Sequence, residues 1–348
     1  MKNRNYSIDF LRLISILAVI LIHISNATLD YGNYDLNKLF FSFFLTEAPR
    51  FAVPVFFLIS GYLLMNHYSN KLNTLTFYKK RFIRILPPYI IWSAIYFVLI
   101  DKQTFVQLFS MRFLKDLFTG DASYQLYFIP TILILYLLFP LIIKFEKIFL
   151  ASRFVIGLTA VVCLLSAYAY YTNPTTLPFY APFRIAFFNL VPFLAGIYYV
   201  KNRQKVSKHK NIFVLLAVSA VSLFFILFEA YMLYYKTNNA NFVRNQWRPS
   251  VLFYGLSIAP LLVMFYKRFL QPFKKVIYFL STLSFGVFFV HLVFLDLIWN
   301  EGKEILASHI YSLWLDPTIF LLVVTLSFAF SYTVGKIPVV NKLLGVKL

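Results

Sequence analysis

Asp9-Phe10-Leu11-Arg12-Leu13-Ile14-Ser15-Ile16-Leu17-Ala18-Val19-Ile20-Leu21-Ile22-His23 is an apolar run long enough to enter a bilayer. It nevertheless carries an acid, an arginine and a histidine. Ionisable groups in hydrocarbon are costly unless they are paired or wet. Arg12 and His23 are eleven positions apart, which at helical pitch is roughly 1100°, about 20° beyond three full turns. Both side chains therefore leave one face of a helix, about 16 Å apart along its axis. Asp9 lies one turn before Arg12 on that face, where an ion pair can form, and Asn26 continues the stripe beyond His23. One reading is a polar track with a histidine at depth. The plain alternative is that Arg12 and His23 snorkel to opposite interfaces.

The surrounding composition settles the class. Of 348 residues, 60% are hydrophobic and only 13% charged, well below the quarter usual in soluble domains. The apolar runs are continuous rather than alternating, which disfavours a membrane β-barrel. The sequence predicts an all-α integral membrane protein of about ten transmembrane helices. The expected spans are 10–28, 50–67, 84–101, 125–144, 154–171, 184–200, 212–234, 250–266, 277–299 and 318–335. Residues 38–46 look like an interfacial or re-entrant piece, and 104–118 like a helix lying at the surface. Pro54, Pro130, Pro140, Pro192 and Pro260 predict kinks.

The net charge of +20 raises the possibility of nucleic acid, but the basic residues sit in short loops between apolar spans. Topology and anionic lipid explain them, so the expected partner is the bilayer and no nucleic acid. With the N-terminus inside, every inner loop is basic and most of the 33 Lys and Arg fall inside, which places both termini in the cytoplasm. Ser25-Asn26-Ala27 resembles a signal cleavage site, yet Asp9, Arg12 and the charge alternation favour a retained helix. Asn26-Ala27-Thr28 matches a glycosylation sequon but abuts the membrane segment. Cys163 is the single cysteine, so no internal disulfide is possible, and the five histidines lack metal-ligand spacing. The whole chain, 1–348, reads as a single transmembrane domain without internal repeat.

Two further motifs are informative. Phe51-Ala52-Val53-Pro54-Val55-Phe56-Phe57-Leu58-Ile59-Ser60-Gly61-Tyr62 ends in a small pair that admits either close helix packing or a narrow passage. Lys79-Lys80-Arg81-Phe82-Ile83-Arg84-Ile85-Leu86-Pro87-Pro88-Tyr89 places two guanidinium groups one turn apart. Such a pair suits phosphate, while positive-inside anchoring explains the lysines better than it explains Arg84.

Together, the Asp-x-x-Arg opening, Arg-x10-His in the first span, Phe-Phe-Leu-Ile-Ser-Gly-Tyr in the second and Arg-Phe-x-Arg-Ile-x-Pro before the third resemble the membrane acyltransferase-3 family, whose members O-acylate bacterial surface polysaccharides. Tyr127-Phe128-Ile129-Pro130, Leu135-Tyr136-Leu137-Leu138-Phe139-Pro140 and Ser284-Phe285-Gly286-Val287-Phe288-Phe289-Val290-His291 are similar to its fourth and penultimate spans. Phe128 stands where a Trp is common in that family, and in the penultimate span a Phe stands where Tyr is more frequent. The resemblance implies a cell-membrane O-acyltransferase with cytoplasmic acyl-CoA, most simply acetyl-CoA, as donor and an extracytoplasmic glycan hydroxyl as acceptor, with no permanently bound cofactor and no metal. Arg81, Arg84 and Ser60 would serve acyl-CoA, with Arg12 oriented by Asp9. His23 would act as general base or as nucleophile. An oxyanion donor is needed, with Ser60, Asn26 or a tyrosine as options. His291 would be a core histidine, an acceptor contact or a proton relay. Arg244 and Trp247, in the amide- and aromatic-rich outer segment 234–249, would face sugar or form an interfacial belt. Glu229 and Asp296 are expected near water. Some relatives carry an additional hydrolase-like domain; this chain is expected to finish transfer within its membrane part or with a separate protein. Other classes stay open: a transporter of glycan or lipid-linked intermediates, disfavoured by the missing repeat symmetry, and a non-catalytic subunit of a polysaccharide synthase.

Overall fold

Helix α1 runs over Tyr6–Leu29 with Asp9 in its first turn, where a negative charge complements the N-terminal end of the helix dipole. The computed structural model describes residues 4–29, 36–68, 72–172, 181–203, 211–237, 248–302, 306 and 312–346. Among them there is no strand. The helices after α1 are α2 (Leu36–Glu47), α3 (Ala52–Tyr68), α4 (Thr74–Leu99), α5 (Met111–Thr119), α6 (Phe128–Lys144), α7 (Glu146–Phe149), α8 (Ser152–Thr172) and α9 (Ala181–Lys201). They are followed by α10 (Ile212–Thr237), α11 (Pro249–Phe265), α12 (Lys274–Glu301), α13 (Leu315–Gly335) and α14 (Val340–Leu343). Seven segments of the described chain are long and apolar enough to cross a membrane; one of these, Pro249–Glu301, contains both α11 and α12. α6 and Ser152–Tyr168 of α8 are apolar but shorter. Each expected span overlaps one of these helices.

Three local expectations are revised. Residues 38–46 belong to a full helix, α2, which a 3-10 turn (Ala48–Phe51) joins to α3. The third span starts at Thr74 rather than 84, because the Asn73 side chain accepts from the Thr76 N–H at 2.9 Å and caps the helix early. Arg81 and Arg84 are thus helical, and Pro87 and Pro88 follow inside the same helix. Pro54 and Pro130 lie in the first turns of α3 and α6, where a missing N–H costs no helical bond. Pro140, Pro192 and Pro260 lie inside α6, α9 and α11.

The chain divides into two compact units. The first comprises residues 1–56, 207–333 and 348. Within it α1 lies along α12, and the two run parallel, since Arg12 meets Ser281 and His23 meets His291. The 3-10 turn packs against α1 and α11, and α11 packs against α10. Ser219 of α10 donates to Ser257 of α11 at 2.8 Å. Gly255 of α11 lets Pro54 approach so closely that a Cβ there would sit 2.7 Å from the proline Cβ.

The second unit comprises residues 57–206 and 334–347. Here α3 and α9 meet backbone to backbone. A Cβ on Gly61 would lie 2.0 Å from the Phe193 carbonyl oxygen, and one on Gly196 would lie 2.0 Å from that of Leu58. Gly61 therefore answers to helix packing. Phe57, Phe77, Phe97, Phe139 and Phe193 are buried in this unit. The Trp92 indole donates to the Leu344 carbonyl at 3.1 Å, fixing the segment around α14 to α4. α5 has the two-faced character expected of a surface helix. Phe113 is buried against Phe97 and Tyr89 donates to the Leu117 carbonyl at 2.6 Å. Phe105, Phe109 and Phe118, in or just before α5, are 75%, 91% and 72% exposed. Burial raises the Asp116 carboxyl above the usual carboxylate range, and the neighbouring Arg112 partly offsets this.

Candidate functional site

The first unit holds most of the ionised stripe. Arg4 grips Asp9 with two bonds, Nε to Oδ2 at 2.8 Å and Nη2 to Oδ1 at 3.0 Å. That bidentate geometry raises the Arg4 guanidinium above its ordinary value, with burial opposing. The same guanidinium lies 3.9 Å from the Tyr278 ring centre, a cation–π contact. Arg12 is 3.6 Å from Asp9 and donates to Ser281 Oγ at 3.4 Å, while Ser281 donates to Asp9 at 3.3 Å. Asp9 thus holds Arg12 as its spacing implied, and holds Arg4 more tightly.

His23 leaves α1 toward α12. Its ring stacks on that of His291 with centres 5.4 Å apart and planes inclined by 29°. His291 is fully buried, and its Nδ1 faces the Val287 carbonyl at 3.1 Å. With the proton on Nδ1 this is a donated bond one turn back along α12, and it fixes the ring. Nε2 then carries the lone pair, is itself buried, and has no hydrogen-bond partner among the described residues. The bond to the helix carbonyl is the one a core histidine makes; packing alone does not explain a second nitrogen left unbonded in a ring that stacks on another imidazole.

A second cluster of ionised residues, absent from the sequence-level candidates, lies in the same unit. Arg248 caps the start of α11 and is 1% exposed. Its Nη2 donates to Glu47 Oε2, its Nη1 donates to the Ile226 carbonyl at 3.0 Å, and Nη1 lies 3.6 Å from Glu229. Ser250 donates to Glu229 at 3.0 Å. Glu47 Oε1 is 2.7 Å from Arg50 Nη2, and Glu47 and Arg50 are both buried. This corrects one expectation: Glu229 is an ion-pair partner with its side chain 15% exposed, not a water contact. Asp296 accepts from Asn300 at 2.8 Å and is partly exposed, as expected. The missed signal is Glu47-Ala-Pro-Arg50, an acid and a base one turn apart between apolar runs.

In the second unit Arg81 is partly buried. Tyr68, Phe77 and Tyr136 set their ring centres 5.7, 5.8 and 5.7 Å from its guanidinium carbon. These are cation–π contacts, and the Arg81 Nε is buried. Arg84, one turn on, is exposed, and Ser60 is half-buried on α3. Arg244 and Trp247 lie outside the described residues.

A multi-spanning helical protein with ionised side chains and paired imidazoles set among apolar helices belongs with membrane enzymes and transporters rather than with structural spans. The finer assignment comes from sequence comparison: the acyltransferase domain of the acyltransferase-3 family matches residues 5–336, nearly the whole chain. The chain belongs to that family and is an acyltransferase. No curated protein and no solved structure matches it.

Proposed function

We propose that the protein moves an acyl group, acetyl or else succinyl, from cytoplasmic acyl-CoA to a hydroxyl of a cell-surface polysaccharide. It does so as a ten-span protein of the bacterial cytoplasmic membrane with both termini inside. The observation that carries this reading is the stacked His23–His291 pair on helices that also carry Asp9, Arg12 and Ser281. An imidazole can take a proton from an attacking hydroxyl and return it to a leaving group. The hydroxyl oxygen bonds to the thioester carbonyl carbon as its proton passes to His23. The carbonyl oxygen takes up the electron pair. When the C=O bond re-forms, the C–S bond breaks and the CoA sulfur leaves with the proton from His23. If His23 is instead the nucleophile, its ring nitrogen bonds to the thioester carbonyl carbon and the C–S bond breaks, the CoA sulfur leaving with the other ring proton; the acceptor hydroxyl oxygen then bonds to the acyl carbon, the C–N bond breaks, and the hydroxyl proton returns to the ring.

Arg81 and Arg84 bind the nucleotide phosphates, because guanidinium edges are suited to phosphate oxygens. Arg12, held by Asp9, adds a further cation, and Ser60 contacts the acyl-CoA arm. His291 relays protons through its bare Nε2, and Arg244 and Trp247 contact the acceptor glycan. The test is mass spectrometry of the surface glycan in cells lacking the protein, complemented with wild type or with His23→Ala at equal expression. Acyl groups are expected to return with wild type alone. Wild-type acylation by His23→Ala would defeat the catalytic assignment.

A further inference from the structure

The buried arginines Arg50 and Arg248 each meet a carboxylate, as do Arg4 and Arg12. Arg81 has no ion pair among the described residues, and its buried Nε has no hydrogen-bond partner there. Its neighbours are aromatic rings from three helices. We infer that Tyr68, Phe77 and Tyr136 are positioning residues, which hold Arg81 as an un-neutralised cation for a phosphate group of the acyl donor. The inference rests on the reading of Arg81 as a donor-phosphate contact.

The local sequence builds this holder. The Asn73 cap starts α4, so Phe77 and Arg81 fall one turn apart on one face. Tyr68 ends α3, and Tyr136 and Phe139 lie one turn apart on α6. Phe77 meets the Tyr68 ring edge-on, with centres 5.1 Å apart and planes at 89°. It also meets Phe139 at 5.4 Å and Tyr136 at 6.3 Å. Phe77 and Phe139 are fully buried, and Tyr78 donates to the Leu137 carbonyl at 2.9 Å, which ties α4 to α6 beside them. The rings are thus fixed by one another as well as by the cation. Their centres lie 5.7, 5.8 and 5.7 Å from the guanidinium carbon, inside cation–π range. What distinguishes such a holder is the charge it leaves in place. A carboxylate would fix the same side chain but would cancel its charge, and an incoming phosphate would have to displace it. A ring quadrupole attracts the cation without bringing a compensating charge. Arg81 as a whole is half-buried, so the rings do not seal it. A purely structural explanation is weak. It leaves a buried donor unsatisfied, which is costly. Lysine, a compact charge on a flexible stem, would anchor the helix to a membrane surface without that cost.

The test is equilibrium binding of radiolabelled CoA to the detergent-purified full chain. It compares wild type, Arg81→Ala, Tyr136→Leu, Tyr136→Phe and the double variant Arg81→Ala with Tyr136→Leu. Tyr136→Leu is expected to raise the Kd about fivefold, the scale of one partly desolvated cation–π contact. Tyr136→Phe keeps the ring and should stay within about twofold of wild type. On the Arg81→Ala background, Tyr136→Leu should cost less than about twofold, because the cation it serves is gone. A merely structural role for Tyr136 would give the same loss on both backgrounds, and that result overturns the inference. So does a Tyr136→Leu Kd within about twofold of wild type. If Tyr136→Leu does not fold, Tyr68→Leu takes its place in the same cycle. A lipid headgroup is the other source of phosphate, read as phosphatidylglycerol that co-purifies with the protein. Less of it on Arg81→Ala than on wild type, with the CoA Kd unchanged, overturns the donor assignment. Wild type that binds no CoA sinks the acyl-CoA reading and this inference together. Wild type that binds CoA, with Tyr136 uncoupled from Arg81, sinks the inference alone.

Discussion

Substituting Gly61 by alanine tests the α3–α9 seam at its tightest point. The new methyl would stand 2.0 Å from the Phe193 carbonyl oxygen and 3.0 Å from its carbon. Carbon and carbonyl oxygen normally approach no closer than about 3.3 Å, so the two helices must part by about 1.3 Å. A gap of about 0.5–1 Å already forfeits a quarter to a half of the dispersion energy across a contact. The obstacle is backbone, which cannot rotate away, so the cost should fall at the upper end of overpacking, about 3 kcal/mol. For a domain of about 150–250 residues that lowers the thermal midpoint by about 6–12 °C. Gly196→Ala meets the Leu58 carbonyl at the same 2.0 Å and should cost as much. The double variant should cost less than the sum, because the first substitution has already opened the seam. The internal control has the opposite sign. Gly157 in α8 has no atom within 4 Å of its would-be Cβ, so Gly157→Ala should gain about 0.5–1 kcal/mol from helix propensity. Thermal unfolding of detergent-purified protein measures all four. A Gly61→Ala midpoint within 2 °C of wild type, at most about 0.5–1 kcal/mol, would refute the reasoning.

Arg248→Met should cost about 3–5 kcal/mol, because Glu47 and Glu229 are left without their shared cation, and adding Glu47→Gln should restore part of it. Melting curves of the single and double variants decide this; a double variant less stable than the single one contradicts it. Arg81→Ala should raise the KM for acyl-CoA about tenfold with kcat little changed, as expected for loss of a phosphate contact. An unchanged KM removes Arg81 from the donor site. Asp116 has a raised folded-state pKa, so its ionised form is disfavoured in the fold. Stability is lost as pH rises from the unfolded carboxyl value, about 3.9, through the raised folded one, and Asp116→Asn should abolish that slope. Melting midpoints recorded across about pH 4 to 7 report it, and identical profiles for the two proteins would exclude the assignment.

Helix positions were legible because apolar runs near twenty residues have few alternatives, and α1 and α12 fall where their sequences place them. The eleven-residue spacing of Arg12 and His23 correctly gave a common face, since both meet α12. Spacing within one helix says nothing about which helix lies opposite, so the pairing of His23 with His291 could not be read. The start of α4 was misjudged because hydropathy begins at Ile83, whereas the helix begins at its Asn73 cap among polar residues. The larger omission was the set around Arg248. Its members come from the end of α2, the 3-10 turn, α10 and the start of α11, so no local window contains the pattern. Glu229 looked like a residue seeking water because its partner stands nineteen positions away.

Glu47, Arg50, Glu229 and Arg248 sum to no net charge. That neutrality restricts how the chain can drift over generations. Losing one member strands its opposite number, so a lineage is pressed to trade acid and base in the same step, or to exchange the whole quartet for hydrocarbon. Descendants should therefore divide into those that keep all four and those that keep none. A natural relative with leucine at 248 and glutamate still at 47 would break that rule.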